Sequence, residues 1–157
     1  VLNMPAITRT PRFQMVLASI TASAGATASA QSAALFDSWV SAYNSRLLAR
    51  LAGDSRVAVV DFQATLDAQV ASPATYGLSN ASTPACPVTG TGSDGLPTYT
   101  FATCTAAALA AMPPPDAAGN PEWWRYYAFA DNFHPTPYVH QLMGQLVSRS
   151  LSQAGWL

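Results

Sequence analysis

From Ser32 to Ala52, apolar side chains recur at spacings of three to five. Leu35, Phe36, Trp39, Val40, Tyr43, Leu47, Leu48 and Leu51 share one face. The spacing predicts an amphipathic helix, with Gly53 placed to end it. The pattern then changes. Val57-Ala58-Val59-Val60 is a continuous apolar run closed by Asp61, as in a strand buried on both faces. Phe62 to Val70 predicts a short helix with Leu66 and Val70 on one side. Ser72 to Pro97 is rich in turn formers and reads as mostly loop. Thr105 to Met112 is Ala-rich and predicted helical, stopped by Pro113-Pro114-Pro115. Tyr126-Tyr127-Ala128-Phe129-Ala130 is the second predicted strand. Pro137 then suits the first turn of a final helix, whose core face is Tyr138, Leu142, Met143, Leu146, Val147 and Leu151. At the other end, Val1 to Asn3 reads as the end of a strand, and Pro5 and Pro11 punctuate an irregular stretch. Thr21 to Ala30 is low-complexity Ala, Ser and Thr, suited to a loop or a helix start.

Helix, strand, helix, long loop, strand, helix is the alternation of an α/β protein with a parallel sheet. Two strands and a stub fall short of the roughly four to six that a sheet normally holds. The expectation is that residues 1–157 form the C-terminal part of a single larger α/β domain. The start at Val1, inside a strand stub, suggests a processed or truncated terminus.

Composition narrows the partners. Charged residues are only 10% of the chain and the net charge is −1. All seven cations are arginine. Such a surface offers no electrostatic footprint for nucleic acid or an anionic membrane. No apolar run reaches the roughly 20 residues that span a bilayer, so no transmembrane segment is expected. The first residues lack the basic region and apolar core of a signal peptide. Cys86 and Cys104 flank a segment rich in Gly, Thr, Ser and Pro. A disulfide closing that loop would place the protein in an oxidising compartment; two buried free thiols are the alternative. Two distant cysteines are too few ligands for a metal.

The chemistry-bearing residues sit near the end. Asp131-Asn132-Phe133-His134-Pro135-Thr136 follows a predicted strand and leads into the last helix. In open α/β sheets, ligands bind beyond the carboxyl ends of the strands. An Asp three residues before a His can hold the imidazole in one tautomer while the His takes a proton from a nucleophile. The same pair can also be a purely structural turn. Asn3 and Phe133 are candidate substrate contacts. His140 could join Asp131 and His134 around a metal, but no further ligands are suitably spaced, and a helix-surface role fits it better. Trp123, Trp124, Tyr126, Tyr127 and Phe129 suit core packing first and a substrate pocket second. Asn80-Ala81-Ser82 matches a glycosylation acceptor.

The Asp131 to Thr136 block, followed by His140, resembles the last block of the GDSL-type, or SGNH, lipases and esterases. Val59-Val60-Asp61, Pro73, Tyr76-Gly77, Asn80 and Cys86 are similar to the segment before that block in secreted bacterial members. Leu2-Asn3-Met4-Pro5 and Pro11 look like the passage after the family's third block. The resemblance implies a flavodoxin-like three-layer αβα fold and a Ser-His-Asp triad, with Asp131 and His134 supplied here. It implies a secreted, extracellular or periplasmic bacterial enzyme acting on an ester or lipid, with no cofactor and no metal. The family's nucleophilic Ser and its oxyanion Gly and Asn precede the passage that opens this chain. The chain would then need an N-terminal segment of the same protein, present on a continuous chain or as a separate nicked one. Gly53-Asp54-Ser55 spells the nucleophile block but follows a helix and precedes a strand, the reverse of a nucleophile elbow. The rival from another class is a non-catalytic secreted binding or adhesion module, which low charge and Ser/Thr/Ala richness would suit.

Overall fold

A computed structural model describes residues 1–157. The chain opens at a single parallel bridge between Leu2 and Val60. Two backbone hydrogen bonds hold it, Asn3 N to Val60 O at 3.1 Å and Val60 N to Val1 O at 2.8 Å. The strand expected over Val57–Val60 is therefore only this bridge. Its apolar side chains are drawn inward, with Val60 and Ala58 buried, but a ladder needs a longer partner than Leu2 provides.

Helix α1 runs Pro11–Ala24. Thr10 caps it, its hydroxyl accepting from Phe13 N, and Pro11 sits in the first turn. Pro11 thus starts a helix rather than breaking the chain. Helix α2, Ala26–Leu51, begins directly after Gly25, whose φ of 88° reverses the chain. The low-complexity stretch from Thr21 to Ala30 is helical on both sides of that glycine. The two helices form an antiparallel hairpin, joined where Phe13 meets Phe36 edge-on at 4.7 Å. Helix α3, Phe62–Ala71, is capped by Asp61, which accepts from Ala64 N at 3.1 Å.

The stretch expected as loop contains strand β1, Asn80–Pro84. It pairs in parallel with β4, Tyr127–Phe129, through a bulged register from Asn80 opposite Tyr127 to Pro84 opposite Phe129. Asn-Ala-Ser-Thr-Pro carries no strand signal of its own; its partner makes it one. Between them a small antiparallel hairpin joins β2 (Gly90–Thr91) to β3 (Pro97–Thr98), and a short helix α4 spans Ala106–Ala110. The last helix, α5, is Pro137–Gln153.

The parallel pair organises two cores. In the first, Phe62, Leu66, Leu78, Ala81, Ala128, Phe129 and Val139 knit α3 and α5 to the strands. In the second, Ala85, Cys86, Leu109, Trp123 and Trp124 pack together, and the Trp123 indole N–H donates to Leu109 O at 2.8 Å. Cys86 and Cys104 are joined by a disulfide with Cα atoms 5.1 Å apart. Trp123 and Trp124 are therefore core residues.

The chain exposes 8998 Å², against about 7,500 Å² expected for a folded protein of 16.5 kDa. The excess lies partly on the helices. Leu35, Trp39, Tyr43 and Leu48 of α2 are exposed, and most of the apolar face of α5 is only half-buried. No helix is long and apolar enough to cross a membrane.

Candidate active site

Strand β4 ends at Phe129, and the chain turns sharply through residues 130–135. The turn is closed at its base. Ala130 N donates to His134 O at 2.7 Å, and Phe129 bridges Pro135 in antiparallel fashion. Thr136 then locks the exit. It is 1% exposed, its hydroxyl donates to Tyr127 O at 2.7 Å, and the same oxygen accepts from Val139 N as the cap of α5. Thr136→Ala is expected to cost about 1–2 kcal/mol, read as a shift in the urea midpoint. A midpoint unmoved by the change would show that the cap is not what fixes this corner.

Inside the turn, Asp131 is held by its own backbone. Its Oδ1 accepts from Phe133 N and His134 N, both at 2.8 Å. Its Oδ2 faces His134 Nδ1 at 2.8 Å. The D-x-x-H spacing matters because it lets one carboxylate take both N–H groups of the turn and still reach the ring. Burial raises the Asp131 pKa, but the N–H groups of His134 and Phe133 and the imidazole outweigh it. The net result is a pKa below the ordinary 3.8, so the carboxylate is charged at neutral pH. The His134 side chain is 76% exposed, against 28% for Asp131. With Nδ1 bound to the carboxylate, Nε2 is the nitrogen left to exchange a proton with a reacting group.

Beside the turn lies an open cavity of about 640 Å³. Phe133 and Pro135, the neighbours of His134 in sequence, form one edge. Met4, Pro5 and Ile7 form another, and Phe36, Trp39 and Tyr43 of α2 the far wall. Eleven of its fourteen lining residues are hydrophobic. Periodicity marks the α2 aromatics only as a core face; nothing in spacing distinguishes an aromatic stripe that packs from one that lines a cavity.

The other sequence candidates lie elsewhere. Asn3 is buried, its Nδ2 donating to Asp61 Oδ1 and its Oδ1 accepting from Gln63 N, both at 2.8 Å. That amide ties the N-terminal bridge to the start of α3, and Asn3 does not line the cavity beside Phe133. His140 is exposed on α5. Ser55 is exposed in the turn after α2, where Asp54 pairs with Arg56 at 2.8 Å. One residue of the turn escaped sequence reasoning. Asn132 is 5% exposed, and its Nδ2 donates to Pro97 O at 3.0 Å.

A parallel strand pair flanked by helices makes this an α/β protein, and the Asp–His pair lies just beyond a strand's carboxyl end, where such sheets bind ligands. The family model for GDSL-like lipases and acylhydrolases matches residues 1–147, and the chain belongs to that family. The family carries an α/β SGNH fold and points to an esterase- or lipase-type activity. No curated protein matches the chain.

Proposed function

We propose that this chain is the C-terminal part of a three-layer αβα SGNH domain, and that the whole domain is a secreted carboxylic ester hydrolase. The observation that carries the reading is the Asp131–His134 pair, bonded at 2.8 Å and open to solvent beside an apolar cavity. A serine on an upstream segment of the same protein attacks the ester carbonyl. His134 Nε2 accepts the serine proton and later returns it to the departing alcohol. Asp131 fixes the tautomer and stabilises the imidazolium. Oxyanion donors come from the upstream segment as well. Water resolves the acyl-enzyme; an alcohol in its place would give acyl transfer. No step calls for a metal or an organic cofactor. The disulfide suits a secreted domain.

The cavity favours an ester with an apolar acyl group. Trp39 is 57% exposed at its wall, so its removal should weaken binding more than folding. In the full-length protein, Trp39→Ala is expected to raise KM for octanoyl esters about tenfold, by loss of about 1.4 kcal/mol of apolar contact. KM for acetyl esters should stay within about twofold. An equal change for both acyl lengths would place the acyl group elsewhere.

The test of the reaction class is intact-mass analysis of the native preparation with a fluorophosphonate probe. One adduct on an upstream serine supports the triad reading. An adduct on Ser55 would replace the nucleophile proposed here. No adduct at all, with no ester turnover, would favour a secreted binding or adhesion module.

A further inference from the structure

Besides its own hydrogen bonds, the Asp131–His134 turn is held from outside through Asn132. Phe133 and His134 point outward, whereas Asn132 between them and Asp131 is buried. Its main-chain carbonyl accepts from Arg12 N at 3.1 Å, in the first turn of α1. Its side-chain amide donates to the carbonyl of Pro97 at 3.0 Å. Pro97 belongs to the β2–β3 hairpin, and that hairpin lies wholly within the loop closed by Cys86–Cys104. An ion pair between Arg12 and Asp94 links the hairpin to the same helix start.

The hairpin has little else to hold it. Gly90, Thr91, Ser93, Asp94, Gly95 and Thr98 are all exposed. A two-residue ladder is marginal by itself, so the disulfide supplies the constraint that packing does not. The Asn132 Oδ1 is buried with no partner in the chain. The amide is therefore unfavourably placed except for the one bond it makes to Pro97.

We propose that Asn132 is a positioning residue through which the disulfide-closed hairpin fixes the orientation of the Asp131–His134 pair. The path runs from Cys86–Cys104 to the hairpin, from the Pro97 carbonyl to the Asn132 amide, and so to the two residues on either side of the turn. Loosening any link lets the imidazole swing on an exposed side chain. Neither Asn132 nor Pro97 lines the apolar cavity, so the effect falls on turnover and not on substrate binding.

The kinetic arm of this proposal rests on the hydrolase reading; a spectroscopic arm does not. In the full-length protein, Asn132→Ala and the pair Cys86→Ala with Cys104→Ala should each lower kcat about tenfold with KM within about twofold. Combined, they should lower kcat no further than the worse of the two, since both break one path. The ring 15N shifts of His134 should move from an Nδ1-protonated tautomer toward the Nε2-protonated one in each variant. Asn132→Leu, which keeps the volume and removes the donor and the orphan acceptor, gives the same readouts should the alanine variant fail to fold. Wild-type ring shifts in the folded Asn132 variants would overturn the proposal, as would losses in kcat that multiply. If His134→Ala retains turnover, the catalytic reading fails by itself, and the ring shifts still decide the role of Asn132.

Discussion

Replacing His134 by Ala in the full-length protein is expected to lower kcat/KM by roughly 10⁴-fold or more. The melting temperature should hardly move. The side chain is 76% exposed and its hydrogen-bond partner is the Asp131 carboxylate, so its removal should cost no more than about 0.5 kcal/mol of stability. That separation of activity from stability is the useful feature, because it distinguishes a proton carrier from a residue that merely closes a turn. Asp131→Asn should follow the same course with a smaller loss, since the amide leaves the geometry but favours the wrong tautomer. Esterase rates at substrate saturation and below it, together with a thermal melt, decide the matter. Wild-type kcat/KM in His134→Ala would reduce the pair to a structural turn.

The pH behaviour follows from the direction of the Asp131 shift. Its folded pKa lies below the ordinary 3.8, so it contributes stability that is present above the unfolded value and is lost as pH falls through the folded one. Between mildly acid and neutral pH the carboxylate stays charged. An acid limb of kcat/KM in that range does not come from Asp131. In Asp131→Asn the stability lost between about pH 5 and pH 2 should be smaller than in the wild type.

Phe129→Ala should have the largest effect on the fold, about 3–5 kcal/mol. Phe129 is 1% exposed, sits at the end of β4 and joins the core shared by α3 and α5. It also forms part of the cavity wall and bridges Pro135 at the base of the turn. A loss there removes packing from the core and the anchor from the Asp131–His134 turn at once. Urea unfolding measures it; a loss under about 1 kcal/mol would mean that the parallel pair is not the organising core.

Much of the local structure was legible because its causes are local. Leu35 to Leu51 repeats with helical period, and α2 is a helix there. Pro137 marks the start of α5 through its missing N–H, a property of the residue itself. The Asp131 to His134 spacing was readable for the same reason, since the turn's N–H groups and the ring all lie within one carboxylate's reach. Strand pairing was not. Val57 to Val60 has the composition of a buried strand yet forms one bridge, because a ladder exists only where a partner runs alongside. Asn80 to Pro84 has no such composition and is a strand, because Tyr127 to Phe129 does run alongside.

The sequence by itself therefore determined the helices after Ser32, the family and the residues that meet within the Asp131–His134 turn, but not α1. These depend on contacts a few residues apart, where period and turn geometry leave few alternatives. The tertiary structure alone decided which segments pair as strands, that Met4, Trp39 and Phe133 enclose one cavity, and that Pro97 reaches Asn132. Those contacts join residues tens of positions apart, and their free energy comes from burial and pairing that no single segment encodes.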